Sequence, residues 1–281
     1  MIKRLGKEMI TLKVFEAIRY ISYHPDPDLT GLLREAMDTE ESEIARDVLS
    51  AILENHRLAP QKNIPLCQDT GTTVVFAQLG IDVHLEEPLR ESIDRAVIRA
   101  QSELPLRASM VMDPYVQRRN SGNNAPAIIH IQSVPGDTLR LQICQKGGGA
   151  ENMSFMKMLN PGADHTEIAA YVSQKVIEAG SKPCPPLILG IGIGGNFETA
   201  PLLAKQALLE PLGREHPQRD YAELEREIRN RVNAEGCGVQ GFGGNHTVLA
   251  VHILSAPCHI ASLPVAVNVE CHAHRHISVE L

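Results

Sequence analysis

Six cysteines, a group of histidines near the C-terminus, two sets of glycines and one aspartate beside a cysteine are the residues of this chain best suited to chemistry. Cys67, Cys144, Cys184, Cys237, Cys258 and Cys271 are spread over 281 residues without a CxxC pair. That scatter is unlike a small secreted disulfide framework and points to a reducing compartment. As free thiols they are either small buried hydrophobes or soft ligands that the fold gathers around a metal cluster. His259 and the run Cys271-His272-Ala273-His274-Arg275-His276 invite a zinc reading. A zinc ligand set needs fixed geometry that such crowded spacing does not suit, so solvated side chains are the simpler expectation for His274 and His276.

Lys146-Gly147-Gly148-Gly149 is either a tight strand exit or a place where backbone N–H groups approach a carboxylate or phosphate, with Lys146 as counter-charge. Gly190, Gly192, Gly194 and Gly195 do not form GxGxxG, and no acidic residue follows a second strand at the required distance, which argues against dinucleotide binding. Asp69, in the turn Cys67-Gln68-Asp69-Thr70-Gly71, is either a turn-stabilising residue or an acid-base group.

These residues need elements to position them. Leu12, Phe15, Ile18 and Ile21 recur at helical spacing, as do Ile44, Val48 and Ile52 within residues 40–57. Pro60 and Pro65 break that pattern, and Thr73 to Leu79 reads as a strand leaving the Cys67–Gly71 turn. Residues 88–104 read as a helix, and residues 127–134 and 139–144 as a hairpin around Pro135-Gly136-Asp137. A helix over 166–179 should end at Gly180. The apolar run 187–193 reads as a buried strand, followed by helices over 198–209 and 221–234 and strands over 247–254 and 263–269. Long helices mixed with strands in no regular alternation predict an α+β fold, a mixed sheet flanked by helices in a single large domain over 1–281, with residues 1–60 its helical N-terminal part and 61–281 its core. A doubly wound parallel sheet is the second choice.

A net charge of -7 with no basic cluster argues against nucleic acid as a partner. No apolar run reaches the roughly 18 residues needed to span a bilayer, and the first residues lack a signal-peptide core, so a cytoplasmic location is expected.

Taken in order, Cys67-Gln68-Asp69-Thr70-Gly71, Lys146-Gly147-Gly148-Gly149, Cys184-Pro185-Pro186, Gly194-Gly195 and the tail from Ser262-Leu263-Pro264 to Cys271 resemble the N-terminal region of class I, iron-sulfur fumarate hydratases and the related L(+)-tartrate dehydratase α subunit. The resemblance runs from about residue 64 to 276. It implies a 4Fe-4S cluster on Cys67, Cys184 and Cys271, and leaves Cys144, Cys237 and Cys258 as structural thiols. Three thiolates for four irons leave one iron open as a Lewis acid toward substrate oxygens. By the same resemblance Gln68, Asp69 and Arg107 look like substrate contacts, with the backbone of Gly147, Gly148 and Gly149 as part of a carboxylate cradle. Asp69 and His259 look like a proton-transfer pair, and Arg107 offers the planar fork that grips a carboxylate.

In single-chain relatives a second domain follows and supplies the general base. This chain stops at Leu281, so the resemblance implies a separate β subunit in an αβ heterodimer or its dimer. The form Lys146-Gly147-Gly148-Gly149-Ala150-Glu151-Asn152 looks more like the fumarate hydratases than the tartrate dehydratases. Fumarate and malate are therefore the first expectation, with tartrate or a methyl-substituted relative such as mesaconate as alternatives. An electron-transfer protein holding a cluster without hydratase activity is the reading from another class, and a zinc hydrolase is a weaker third. Electron transfer does not require the polar set Gln68, Asp69, Arg107 and His259, whereas substrate chemistry does.

Overall fold

Alternating apolar residues along the strands and helical stripes between them sort the chain into layers, and the observed elements follow that pattern. The structure, a computed structural model, describes residues 2–281. In chain order the elements are β1 (Lys3–Leu5), α1 (Lys7–Tyr23), α2 (Pro27–Thr39), α3 (Glu43–Lys62), β2 (Thr72–Gly80), β3 (Val83–Leu85), α4 (Leu89–Glu103), β4 (Ile128–Val134) and β5 (Leu139–Lys146). There follow α5 (Gly148–Glu151), β6 (Phe155–Leu159), α6 (His165–Ala179), β7 (Leu187–Gly194), α7 (Thr199–Ala207), α8 (Arg219–Glu235), β8 (Val248–Ala256), β9 (Leu263–Glu270) and β10 (Arg275–Glu280). The expected α+β class with mixed sheets flanked by helices is what forms. Among the described residues no helix is long and apolar enough to cross a membrane.

Contacts divide the chain into two compact units. The first holds the N-terminal stretch through Asp26, His56–Gly148 and Arg275–Leu281; the second holds Pro27–Asn55 and Gly149–His274.

In the first unit the main sheet has the order β10-β5-β2-β4. Strand β2 runs parallel to β4 and antiparallel to β5, and β5 is antiparallel to β10. Every second residue of the central strands, Val75 and Ala77 on β2 and Leu139, Leu141 and Ile143 on β5, packs in one buried cluster with Ile10, Val14 and Ile18 of α1 and Ile93 and Val97 of α4. Leu12 of α1 lies on its exposed face.

The expected hairpin of β4 with β5 does not form, because β2 lies between them. Its residues 73–77 are buried, as suits a strand with neighbours on both sides. The Pro135-Gly136-Asp137 turn wraps around the end of β2 instead: Gly80, Ile81 and Asp82 donate their N–H groups to the carbonyls of Thr138, Val134 and Gly136. Pro60 also fails to end its helix, since α3 continues to Lys62.

In the second unit the sheet has the order β6-β9-β7-β8, with β7 parallel to β8 and antiparallel to β9. One face packs on α6 and α8 through Leu187, Leu189, Ile191 and Ile193 with Val265, Val267 and Val269. On the other face Ile188, Leu249 and Ala250 pack against Leu29 and Leu33 of α2 and Leu49 of α3. Burial on both faces explains the uninterrupted apolar run of β7. The glycines of that strand have a packing role: a Cβ on Gly190 or Gly192 would stand 2.1 Å from the carbonyl oxygen of Ala204 or Ala200, so α7 lies directly on the strand. Along the free edge of β8, buried Glu225 accepts the N–H of Ile253 at 2.8 Å, and Asn233 accepts that of Val248 at 2.8 Å.

Two buried histidines give the fold a definite acid response. Burial pushes His56 and His252 down to about 4, and Arg214 adds to the effect at His252. As the pH falls from about 6.5 toward 4 the unfolded chain takes up these protons while the folded chain does not, so stability is lost across that window. Full expression of each shift corresponds to on the order of 3 kcal/mol. Thermal unfolding followed across this range should show a steep loss of Tm below pH 6.5 that is shallower in His252→Asn; an equally steep loss in the variant would contradict the assignment.

Candidate functional site

Strand register decides which loops of the first unit meet. Thr72, at the start of β2, pairs with Lys146 at the end of β5, and Gln145 pairs with Arg275 at the start of β10. The Cys67–Gly71 turn, the Gly147–Gly148 exit and the first residue of β10 therefore share one end of the sheet. Gly71 makes the approach possible. Its φ of 72° belongs to the left-handed region, and a Cβ there would stand 2.1 Å from the carbonyl oxygen of Lys146.

At this end the carboxylate of Asp69 is held from three directions. Its Oδ1 accepts the N–H of Gly71 at 2.9 Å and the hydroxyl of Ser109 at 3.1 Å, while its Oδ2 accepts the N–H of Gly148 at 2.7 Å. An ionised carboxylate has about four acceptor sites, so three donors leave one lone pair open, on Oδ2. Asp69 also donates its own N–H to the sulfur of Cys67 at 3.4 Å, and the Cys67 thiol lies 3.3 Å from Oε1 of Gln68.

The loop carrying Arg107 and Ser109 is shaped by Asn124. Its Oδ1 accepts the Ser109 N–H at 2.6 Å and its Nδ2 donates to the carbonyl of Arg107 at 2.9 Å, while Thr70 accepts the Arg107 N–H at 2.9 Å. The side chains of Arg107 and Gln68 are exposed, next to Thr70 and Asp69. Lys146 is buried on β5. The glycine run behaves differently from expectation in one respect: the N–H of Gly148 is already engaged by Asp69, so it orients the acid rather than standing open to a ligand.

In the second unit the antiparallel register of β7 and β9, with Ile188 opposite Glu270, brings the residues before β7 and after β9 to one end of the sheet. Cys184 and Cys271 both lie at that end, the first exposed at a positive φ of 59° and the second half-buried. Cys237 lies there too, as the loop that follows it donates the Gln240 N–H to the carbonyl of Pro185 at 3.0 Å. Burial pushes its thiol up from the ordinary cysteine value. Cys144 is buried within β5. None of the six cysteines is in a disulfide.

Near the same end Gly149 lies beside the carbonyl of Lys182. Glu151, at the end of α5, is fixed by Lys205 of α7 and by Nδ2 of Asn268 on β9 at 3.1 Å. His259 stands elsewhere in this unit. It occupies an exposed turn between β8 and β9, at the opposite end of the sheet from Cys184 and Cys271, a full length of β7 away, or roughly 23 Å for its eight residues. Cys258 is in the same turn, its thiol donating to the carbonyl of Ser262.

The expectation of solvated His274 and His276 is not met. His274 is buried, and His276, on β10, lies 3.7 Å from Asp26. The physical reason is that the tail continues into a paired strand instead of ending as a loose segment. Ser109, Asn124 and Arg275 were not picked out by the sequence. The Ser121-Gly122-Asn123-Asn124 stretch carried a turn signal, but nothing local announced that Asn124 would order a loop fifteen residues upstream.

If this carboxylate cradle is as tight as the distances indicate, Gly71→Ala should lower stability by about 2 kcal/mol or more, since it adds a strained φ and a backbone clash. Equilibrium denaturation checks this, and a change below a few tenths would contradict it. Ser109→Ala, which removes one donor, should cost about 1 kcal/mol and leave the fold intact.

The chain as a whole is similar to known proteins. The fumarate hydratase (Fumerase) family profile matches residues 11–280. The chain is 39% identical over 268 residues to a Methanocaldococcus jannaschii protein named "Putative L(+)-tartrate dehydratase subunit alpha", covering 93% of this chain and 94% of that one. It is 32% identical over 257 residues to the L(+)-tartrate dehydratase subunit alpha of Escherichia coli strain UTI89, covering 91% and 85%, and 31% identical to that of strain K12 over the same length. A match of this extent, carried by the whole chain and not by one motif, makes the protein a member of the fumarate hydratase family.

Proposed function

We propose that this chain is the cluster-bearing subunit of a hydro-lyase that reversibly hydrates fumarate to malate and works with a separate β subunit. The observation that carries the reading is the Asp69 carboxylate, immobilised by Gly71, Ser109 and Gly148 two residues from a free cysteine. A surface turn needs no such cradle, and an electron-transfer site has no use for an oriented acid. Membership of the family and relatives named as α subunits support both the reaction class and the partner. L(+)-tartrate dehydration is the second reading, favoured by the names of those relatives.

Adding water across the double bond of a dicarboxylate requires hydroxyl delivery to one carbon and a proton to its neighbour, next to a carboxylate that is already anionic. Asp69 is suited to hold or release that proton at the open lone pair of Oδ2, because its other acceptor sites are filled and the group cannot swing away. Family resemblance assigns His259 as its proton-transfer partner, but His259 stands at the far end of its sheet from Cys184 and Cys271, so within this chain it does not reach an acid beside a cluster on Cys67, Cys184 and Cys271. Gln68 and Arg107, exposed beside it, are the proposed substrate contacts, and the Arg107 fork matches a carboxylate. Family resemblance also assigns the backbone at Gly147 and Gly149 to the carboxylate cradle, while Gly148 acts through Asp69. The general base and further cations are assigned to the β subunit.

Cys67, Cys184 and Cys271 would hold a 4Fe-4S cluster. The donor set fits such a group: none of the three thiols is in a disulfide, Cys184 and Cys271 share one end of their sheet, and Cys67 already accepts an N–H bond at its sulfur. When bound, the cluster would supply an electrophilic iron for the substrate's oxygens.

Anaerobic reconstitution of the chain should incorporate iron and sulfide in equal amounts, and the complex with its β subunit should hydrate fumarate. Cys67→Ser, Cys184→Ser and Cys271→Ser should each lose the cluster absorbance, while Cys237→Ser keeps it. Retention of a full cluster in the first three variants would defeat the assignment. Asp69→Asn should keep the cluster and lower kcat by at least about a hundredfold, the low end of what a positioned proton-transfer group contributes; a near-normal kcat would remove Asp69 from the chemistry.

A further inference from the structure

Arg275 opens β10 directly beside the Asp69 cradle, and its side chain is in an unusual position. The residue is only 5% exposed, its Nε has no hydrogen-bond partner, and no carboxylate lies within ion-pair distance among the described residues. Its Nη2 lies 3.9 Å from the point where a Cβ on Gly147 would stand, and Oδ2 of Asp69 lies 3.3 Å from that same point. The guanidinium and the carboxylate thus both border Gly147, where a side chain would crowd Asp69.

Asp69 makes no direct ion pair with this cation: three of its four acceptor sites are taken by Gly71, Ser109 and Gly148, and its charge acts on Arg275 only across the space beside Gly147. A buried charge is costly unless it is paired and hydrogen-bonded, so a guanidinium with no direct carboxylate contact marks a place suited to an anion. We propose that Arg275 is an anion-binding residue of the Asp69 site, its planar fork taking one carboxylate of the dicarboxylate substrate beside Gly147. This rests on the hydro-lyase reading for the identity of the anion. The arrangement has a further use: a cation between the substrate carboxylate and Asp69 offsets the repulsion of two like charges in one confined space.

The test uses succinate, a saturated and unreactive dicarboxylate, titrated calorimetrically into the full-length, cluster-free chain. Wild type should bind it saturably, Arg275→Gln should weaken binding at least tenfold, and Arg275→Lys should fall between, since it keeps the charge and loses the fork. Without succinate, Arg275→Gln should unfold at the same temperature as wild type or higher, because an unpaired buried charge has been removed. Absence of succinate binding by wild type, unchanged binding by Arg275→Gln, or a lowered Tm with binding intact would each overturn the proposal.

In the complex with the β subunit, Arg275→Lys should raise KM for fumarate at least tenfold with a smaller change in kcat. An active complex whose KM ignores this substitution would reject the role of Arg275 and leave the hydro-lyase reading standing. A complex inactive on fumarate and tartrate, whose α chain still binds succinate through Arg275, would reject the reaction and uphold the anion site.

Discussion

The pairing of Thr72 with Lys146 is the constraint on which the first unit's site depends. It sets the end of β5 against the start of β2 so closely that only glycine fits at position 71, and it brings Gly148 within reach of Asp69. A carboxylate fixed through main-chain donors is more firmly placed than one held by side chains, since those donors belong to the sheet ends and cannot rotate away. Ser109 adds the one side-chain donor, and Asn124 holds it there by ordering the loop backbone. The cradle is thus a consequence of sheet register supplemented by one buried amide.

Much of this was legible in the sequence, for definite reasons. The helical stripes of α1 and α3, the doubly buried β7 and the capped α6 are local patterns in which periodicity and termini agree; Asp164 and Glu167 even form a capping box ahead of α6. The turn at Gly71 and the glycines at 147–149 were visible because strained or crowded backbone selects for that residue. The insertion of β2 between β4 and β5 was not legible, since two strands with a turn between them look alike whether or not a third separates them. Strand β10 was missed because its residues Arg275–Glu280 are largely polar, and with it went the burial of His274 and the position of Arg275.

The second unit shows how one sheet distributes possible functions between its ends. One end collects the cysteines that precede β7 and follow β9, together with Gly149 and the Lys205–Glu151–Asn268 contacts that fix α5. The other end carries the exposed turn of Cys258 and His259 beyond β8 and the Gly194-Gly195 exit from β7. Antiparallel β9 connects the two: its first residue stands near the histidine turn and its last beside Cys271. The segment from His259 to Cys271 therefore crosses the sheet, so nearness in sequence carries no nearness in space. Within this unit His259 and the cysteines are separate features.

Electrostatics gives the buried arginine its weight. With 34 acidic side chains against 27 lysines and arginines, the chain carries a net negative charge, and long-range steering does not favour a dianionic substrate. Attraction must then come from cations placed where water is excluded and their effect is least screened. An exposed guanidinium such as that of Arg107 is well solvated and gives up hydration to bind. Arg275 has already lost most of its hydration on folding, so an arriving carboxylate regains interactions that the fold gave up. On the proposed reading, the cation of this chain best placed to hold a carboxylate is therefore one whose Nε the fold leaves without a hydrogen-bond partner, and part of the cost of burying it is recovered when the anion arrives.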